Sequence, residues 1–401
     1  MKRYRYFPRL LCVLCALSLL LGGCDLEGVI QPVATEPKWD ELPVTTTAAP
    51  EPADPAQGIV TRYYYERLSN REKHAYNMIL AELSKFPERI EIPVLTQTQL
   101  STVFEALLYD DPTLLFLGLS CRVETMGTRA FFICSYRYDK AGYDLRMAQL
   151  NAAVQELLGK VPKNASDFEK ELFVHDAIIS ACEYTNTGDA DESSAYGALV
   201  ENKASCEGYA RAMKIMMDAL GIPCYLLGGS ASDDDGRTEN HMWNIIAING
   251  EYYHVDLTWD DPVSPDKRSD LRYVYFNLSD KQISRTHTNY QSVNPCTATA
   301  ANYFVKKQLL FKNYDKAARS SIAKALAARA DAGKQNLEFQ FSSMAAYQQA
   351  VDGLFDAKKR ELYDLLKEAN AASKYKIDTT GARYIKNDSA LIINLIVTVK
   401  K

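Results

Sequence analysis

The segment HMWNIIAINGEYYHVDLTW, residues 241–259, leaves the chain little choice of local structure. Two runs rich in β-branched and aromatic residues flank Asn249-Gly250, a dipeptide suited to a two-residue hairpin turn because both turn positions need positive φ. With that turn, residue 248 faces 251, 245 faces 254, 243 faces 256 and 241 faces 258. Side chains alternate along each strand. One face then carries His241, Trp243, His254, Asp256 and Thr258. The other carries Met242, Asn244, Ile246, Ile248, Tyr253, Val255 and Leu257, mostly core material. His241 and Asp256 become diagonal neighbours, with β-carbons about 5–8 Å apart. A different loop length would shift the register and separate them.

Upstream, KASCEGYARAMKIMMDALGIP reads as a helix. Tyr209, Met213, Met216, Met217 and Leu220 recur at i, i+4, i+7, i+8 and i+11, one wide apolar face. Ser205 is the candidate N-cap, and Gly221 and Pro223 end the helix. Cys206 falls on the first turn, where unpaired N–H groups and the helix dipole favour negative charge. A small buried cysteine would also suit a helix start, so this feature alone does not decide its role. A thiol, an imidazole and an orienting carboxylate are, however, the parts of a nucleophilic acyl-transfer site, which makes Cys206, His241 and Asp256 the catalytic candidates.

The sequence has five histidines. His74 and His175 lie in predicted helices, and His287 in a polar stretch past the hairpin. His254 competes with His241, because it shares a strand and a face with Asp256. Pointing alongside that carboxylate, it reads as a supporting or core residue.

The run C-E-G-Y-A, then G-I-P after the helix, then H-x-W-N, then Y-H-V-D-x-T-W-D-D-P resembles the transglutaminase-like superfamily, in particular its bacterial secreted and lipoprotein members. The likeness covers about residues 165–265. It implies a papain-like core, a helix bearing the cysteine packed on an antiparallel sheet. It also implies Cys206 as nucleophile, His241 as general base and acid, and Asp256 as the carboxylate that orients His241. The reaction stays open, since such proteins include cross-linking enzymes, peptidases, amidases and members without catalysis. Tyr209, Trp243, Trp259 and His254 are candidate cleft residues. The two tryptophans either roof the cleft against water or simply pack the core.

Lys2, Arg3, Arg5 and Arg9 precede an apolar run and Gly22-Gly23-Cys24. Residues 1–23 thus read as a signal peptide, too short to span a bilayer. Leu21-Gly22-Gly23-Cys24 resembles a bacterial lipobox, which implies lipidation of Cys24 and an anchor on the outer face of the cytoplasmic membrane. Residues 24–58 hold six prolines and the single aromatic Trp39, the composition of an extended linker. The first 23 residues carry four positive and no negative charges, so the chain from Cys24 onward has a net charge of −9 instead of −5. That balance disfavours nucleic acid and anionic surfaces as partners. A peptide or protein of the cell envelope as substrate is what the family resemblance and the lipobox-like start imply. Cys121, Cys134, Cys182, Cys224 and Cys296 show neither CxxC spacing nor pairing with clustered histidines, so no metal or cofactor is signalled. In the loop before His241, Asp233-Asp234-Asp235-Gly236 lacks the later glutamate of a calcium loop and reads as solvated.

The rest suggests an α+β chain. An N-terminal α+β region over 59–164 holds helices in LSNREKHAYNMILAELSKF, capped by Ser69 with Glu72, and in LTQTQLSTVFEALLYDDP. LLFLGLS, CRVETMG and RAFFICSYRYD follow as strands, and YDLRMAQLNAAVQELLGKV as a helix. The catalytic core spans 165–290, opening with a helix in DFEKELFVHDAIISACEY. Residues 291–401 read as a small two-layer α/β domain. Within it NYFVKKQLLF and NLEFQFS are strands, YDKAARSSIAKALAARADAGK and MAAYQQAVDGLFDAKKRELYDLLKEANAA are helices, and ARYIK and ALIINLIVTVK are closing strands. A lipid-anchored Cys-His-Asp enzyme is the function these features imply. A surface module that keeps the fold and only binds is the alternative.

Overall fold

The computed structural model describes residues 38–44 and 62–400, without 115, 119, 234, 262–270, 293 and 357–360. Residues 1–23 with the expected signal peptide, Cys24 with its expected lipidation, most of the expected linker, Asp234 and Pro262 lie outside the described residues. The fold is α+β, in two compact units, 1–149 and 150–401. Residues 291–401, which the sequence sets apart, fall in one unit with the catalytic candidates. Among the described residues no helix is long and apolar enough to cross a membrane.

The first unit contains α1 (Asn70–Leu83), β1 (Arg89–Ile92), α2 (Gln97–Asp110), β2 (Arg122–Met126) and β3 (Arg129–Ile133), and α3 (Lys140–Leu158) begins in it. Ser69 and Glu72 form the expected capping box on α1, and Thr96 with Gln99 caps α2 in the same way. The antiparallel sheet runs β1-β3-β2 over a core that includes Tyr76, Ile79, Val103, Leu107 and Phe132. Strand β1 has no counterpart in the sequence reading. LLFLGLS is not a strand: its described residues form turns and one bridge, Leu117 to Tyr136. The Asp111 carboxylate accepts from the Thr113 amide at 2.9 Å, turning the chain so that Leu114, Phe116 and Leu117 fill the core.

The second unit begins with α4 (Asp167–Ala181), β4 (Glu183–Tyr184), β5 (Lys203–Ala204) and α5 (Cys206–Ala219). Next come β6 (Cys224–Ser232), β7 (Thr238–Ile248), β8 (Glu251–Val255), α6 (Leu257–Asp260), α7 (Asp280–Ile283) and β9 (His287–Thr288). It closes with α8 (Tyr303–Lys306), β10 (Leu310–Phe311), α9 (Lys316–Asp331), β11 (Asn336–Phe341), α10 (Met344–Phe355), α11 (Glu361–Ala372), β12 (Lys376–Ile377), β13 (Arg383–Asn387), β14 (Ile392–Ile396) and β15 (Val399–Lys400).

Helix α5 is central. Residues 208–218 are all buried, including Lys214, whose ammonium donates to Asp218 at 2.8 Å and to the Cys224 carbonyl at 3.2 Å. Its end is a Schellman turn: Gly221, at φ 72°, donates to the Asp218 carbonyl and Ile222 to that of Met217. The antiparallel sheet beside it runs β8-β7-β6-β9. The Asn249-Gly250 hairpin has the predicted register, Ile248 facing Glu251 and Ile245 facing His254. The ladder stops at Asn244–Val255, however, so the expected pairs 243–256 and 241–258 do not form. Asp256 instead caps α6, its carboxylate accepting from the Thr258 and Trp259 amides at 3.0 and 3.2 Å.

In the C-terminal stretch a sheet runs β10-β11-β14-β13. NYFVKKQLLF is not one strand: the Asn302 side chain accepts from the Phe304 amide and starts α8, and Gln308 at φ 57° precedes the two-residue β10. The long helix expected from Met344 is two, α10 and α11. This part is tied to the segment after α6 through buried polar contacts. Glu338 accepts from the Tyr273 amide at 2.8 Å, and Asn336 donates to the Leu271 carbonyl at 2.8 Å. The Tyr275 amide then donates to Asp260 at 2.9 Å, one turn from Asp256.

Gly208 lets α5 lie against the chain before it. A Cβ there would run into the Glu192 carbonyl oxygen and approach the Ala204 Cβ to 2.7 Å. Gly208→Ala is expected to lower the urea midpoint, with a loss of about 1–3 kcal/mol. Gly159→Ala, whose Cβ would meet backbone only at 3.5 Å, should leave the midpoint nearly unchanged. Equal shifts in the two variants would contradict this packing.

Candidate active site

The site is assembled from the start of α5, the middle of β7 and the end of β8. The chain entering α5 is fixed by Glu192. Its carboxylate accepts from the Thr185 and Thr187 hydroxyls at 2.9 and 2.8 Å and from the Thr187 and Gly188 amides at 2.7 and 3.1 Å. Its carbonyl oxygen accepts from the Ser205 amide at 2.8 Å and hydroxyl at 3.3 Å. Ser205 occupies the N-cap position as expected, but its hydroxyl serves Glu192 instead of the helix. Cys206 therefore stands on a rigid first turn and keeps part of its surface exposed.

His241 and Asp256 meet across the hairpin. Nε2 of His241 lies 2.8 Å from Oδ2 of Asp256, and both side chains are 1% exposed. Burial alone would depress the imidazole. The Asp256 charge, its hydrogen bond and a further hydrogen bond with Cys206 override that and raise His241 to about 10. Burial would likewise raise Asp256, but His241, and then His287, hold it below the usual carboxylate range. An ionised carboxylate only accepts, so His241 presents Nε2–H to it and Nδ1 is the nitrogen left for sulfur.

His287 completes the site and was not singled out in the sequence. It is fully buried on β9, with Nε2 3.0 Å from the same Asp256 Oδ2. A lone histidine in a polar stretch carries no spacing signal, and its strand pairing with β6 is non-local. Tyr184 was also missed. Strand β4 pairs Tyr184 with Ala204, two residues before Cys206. Burial, then the proximity of Cys206, Glu239 and Asp256, pushes its phenol up, so it stays an O–H donor.

The other expected cleft residues divide. His254 shares the face of Trp243 but does not reach the Asp256 carboxylate. It accepts the Trp243 indole N–H on Nδ1 at 3.0 Å and binds Asp280 through Nε2 at 2.8 Å. Burial lowers it to about 4, against the pull of Asp280. Trp243 is buried beneath the site, its ring 6.0 Å from that of His241 and nearly parallel. Trp259 is half-buried, 5.8 Å from His241 and 4.9 Å from His287, and alone fits the role of a cover. Tyr209 is buried, and its hydroxyl donates to Asp261 at 2.6 Å, bracing the chain after α6.

Two clusters among the described residues have metal-like spacing, His254–Asp280–Cys296 and His241–Asp256–His287. As hydrogen-bonded, the ring nitrogens that face each cluster's carboxylate are N–H donors. Trp243 fills Nδ1 of His254, which leaves the proton on Nε2, and both histidines at Asp256 need N–H to face a carboxylate. The six described cysteines are all free.

Residues 151–257, which include Cys206, His241 and Asp256, match the transglutaminase-like superfamily. Among curated proteins none matches the chain significantly. Similar solved structures include a TGase, 13% identical with a TM-score of 0.26, covering 45% of this chain and 53% of that one. A candidate cysteine protease from Cytophaga hutchinsonii is 13% identical with a TM-score of 0.27, covering 47% of this chain and 70% of that one. The periplasmic domain of TgpA from Pseudomonas aeruginosa, bound to ethylmercury, is 16% identical with a TM-score of 0.20, covering 33% and 56%. The chain thus spans about half the length of the TGase it resembles.

The histidines should titrate far apart. In nitrogen-15 NMR, His241 is expected to stay protonated until the pH approaches about 10, and His254 to be neutral above about 4. His241 is raised above the unfolded value of about 6.5. Its pairing with Asp256 therefore stabilises fully below that pH and is lost as pH rises through about 10. In Asp256→Asn, His241 should titrate well below its wild-type position; an unchanged midpoint would contradict the pairing.

Proposed function

We propose that residues 151–257, which match the transglutaminase-like superfamily, are the core of a cysteine-dependent acyl-transfer enzyme acting on peptide or carboxamide bonds. Cys206 passes its proton to Nδ1 of His241, and Sγ attacks the carbonyl carbon as a thiolate held beside the imidazolium. The imidazolium then protonates the leaving amine, and a thioester remains on Cys206. Asp256 holds His241 in the tautomer that frees Nδ1 and balances the imidazolium. Backbone N–H groups at the start of α5, with the Tyr184 hydroxyl beside them, are the candidate oxyanion donors. Water or an amine resolves the thioester. Water is the favoured acceptor, because it is abundant and no residue marks an amine site.

The observation that carries this reading is one imidazole hydrogen-bonded to Asp256 at 2.8 Å and near enough to Cys206 for that thiol to help hold its proton, beside a sulfur that keeps an opening to solvent. The buried Cys224 instead meets the Asn244 amide at 3.5 Å, and burial pushes that thiol up. Lipidation at Cys24, an extracytoplasmic location and an envelope peptide or protein as substrate belong to the same proposal. They rest on the basic start, the apolar run and Leu21-Gly22-Gly23-Cys24.

Incubation with a library of glutamine-containing peptides and a tagged amine is expected to give a thioester mass shift on Cys206. Free acid as the product supports hydrolysis, and tagged peptide supports transfer. No adduct in the wild type, or an adduct that survives Cys206→Ala, would point to a surface module that only binds. In cells, a fatty-acid probe should label the wild type and not Cys24→Ala; equal labelling would contradict the anchor.

A further inference from the structure

His287 lies outside the matched segment 151–257 and has no part in the reaction above, yet it is bound to its carboxylate. Its strand β9 lies against β6, with Ala231 facing His287 and Ser230 facing Thr288. That approach requires Gly229, where a Cβ would stand 2.8 Å from both the Thr288 carbonyl oxygen and the Trp243 ring. The chain therefore gives up a side chain in mid-sheet to bring this histidine in.

Asp256 accepts four hydrogen bonds. Oδ1 takes the Thr258 and Trp259 amides, while Oδ2 takes His241 at 2.8 Å and His287 at 3.0 Å. The amides fix one oxygen but leave the carboxylate free to turn about it. The N–H of His287 fixes the second. Its other nitrogen, Nδ1, lies 2.9 Å from the Thr286 hydroxyl, which can donate to it. With a proton on Nε2 the ring donates to Asp256, and Nδ1 is the nearer of the two acceptors within reach of the Thr286 hydroxyl, the Ile283 carbonyl lying at 3.5 Å.

We propose that His287 is a positioning residue for the reaction: its Nε2–H holds Oδ2 of Asp256 in line with Nε2 of His241, and so keeps Nδ1 of His241 aimed at Cys206. It touches neither sulfur nor substrate in this role. The inference rests on the reading of Cys206, His241 and Asp256 as a triad. It adds a requirement for a donor at 287 beyond the bulk of a ring.

The test uses iodoacetamide as the probe of Cys206, with adducts located by mass spectrometry and folding followed by circular dichroism. His287→Leu, which keeps bulk and removes the donor, should slow alkylation of Cys206 about tenfold. His287→Gln, whose amide N–H reaches toward the same oxygen, should restore most of the rate. Wild-type rates in both variants would overturn the proposal, as would equal losses, which would mean that only the ring's packing matters. If wild-type Cys206 alkylates no faster than in His241→Ala, the triad reading itself fails, an outcome distinct from either of those. Nitrogen-15 NMR of the wild type gives a check that needs no variant: His287 should be the Nε2–H tautomer, and Nδ1–H would overturn the proposal.

Discussion

The site depends on one buried carboxylate. Asp256 is 1% exposed, so its charge is tolerable only because protein donors surround both oxygens. Those donors arrive from three places: the α6 turn, the middle of β7 and the short β9. Removing any of them leaves a buried charge short of partners. The same demand fixes which nitrogen of His241 carries a proton, and so what that ring can do at its other edge. Stability and chemistry are therefore set by the same hydrogen bonds.

The scaffold around Asp256 supplies rigidity in layers. The N-cap interaction holds Oδ1, and the Asp260–Tyr275 bond anchors α6 to a segment that Glu338 and Asn336 clasp in turn. On the other side, Glu192 gathers its own loop and then grips Ser205, so that Cys206 begins its helix from a fixed point. The sulfur and the imidazole thus sit on elements tied down independently. A reacting pair needs that restraint, since small misplacements cost much of the rate.

The parts of the site written in local pattern were legible in the sequence. Asn249-Gly250 announced the hairpin and its register, and the apolar spacing after Cys206 announced α5. The residues missed depend on non-local packing. His287 joins through a two-residue strand, Tyr184 through a two-residue parallel pairing, and neither leaves a periodic trace. Asp256 was placed on a strand because alternation continues through it; the competing demand of the α6 amides ends the ladder one residue earlier. In NYFVKKQLLF the cap chemistry of Asn302 outweighed a strand-like run of apolar residues. His254 was read as a supporting or core residue from its place alongside Asp256; its actual partners, the indole of Trp243 and the Asp280 carboxylate, carry no spacing signal.

The central claim is that Cys206 works with His241. The most direct measurement is the rate at which iodoacetamide modifies each cysteine at pH 6, in the wild type and in His241→Ala. The account predicts that Cys206 reacts about tenfold or more faster than the remaining cysteines, and that this advantage disappears without His241. A Cys206 that reacts at the same rate with or without the imidazole would contradict it.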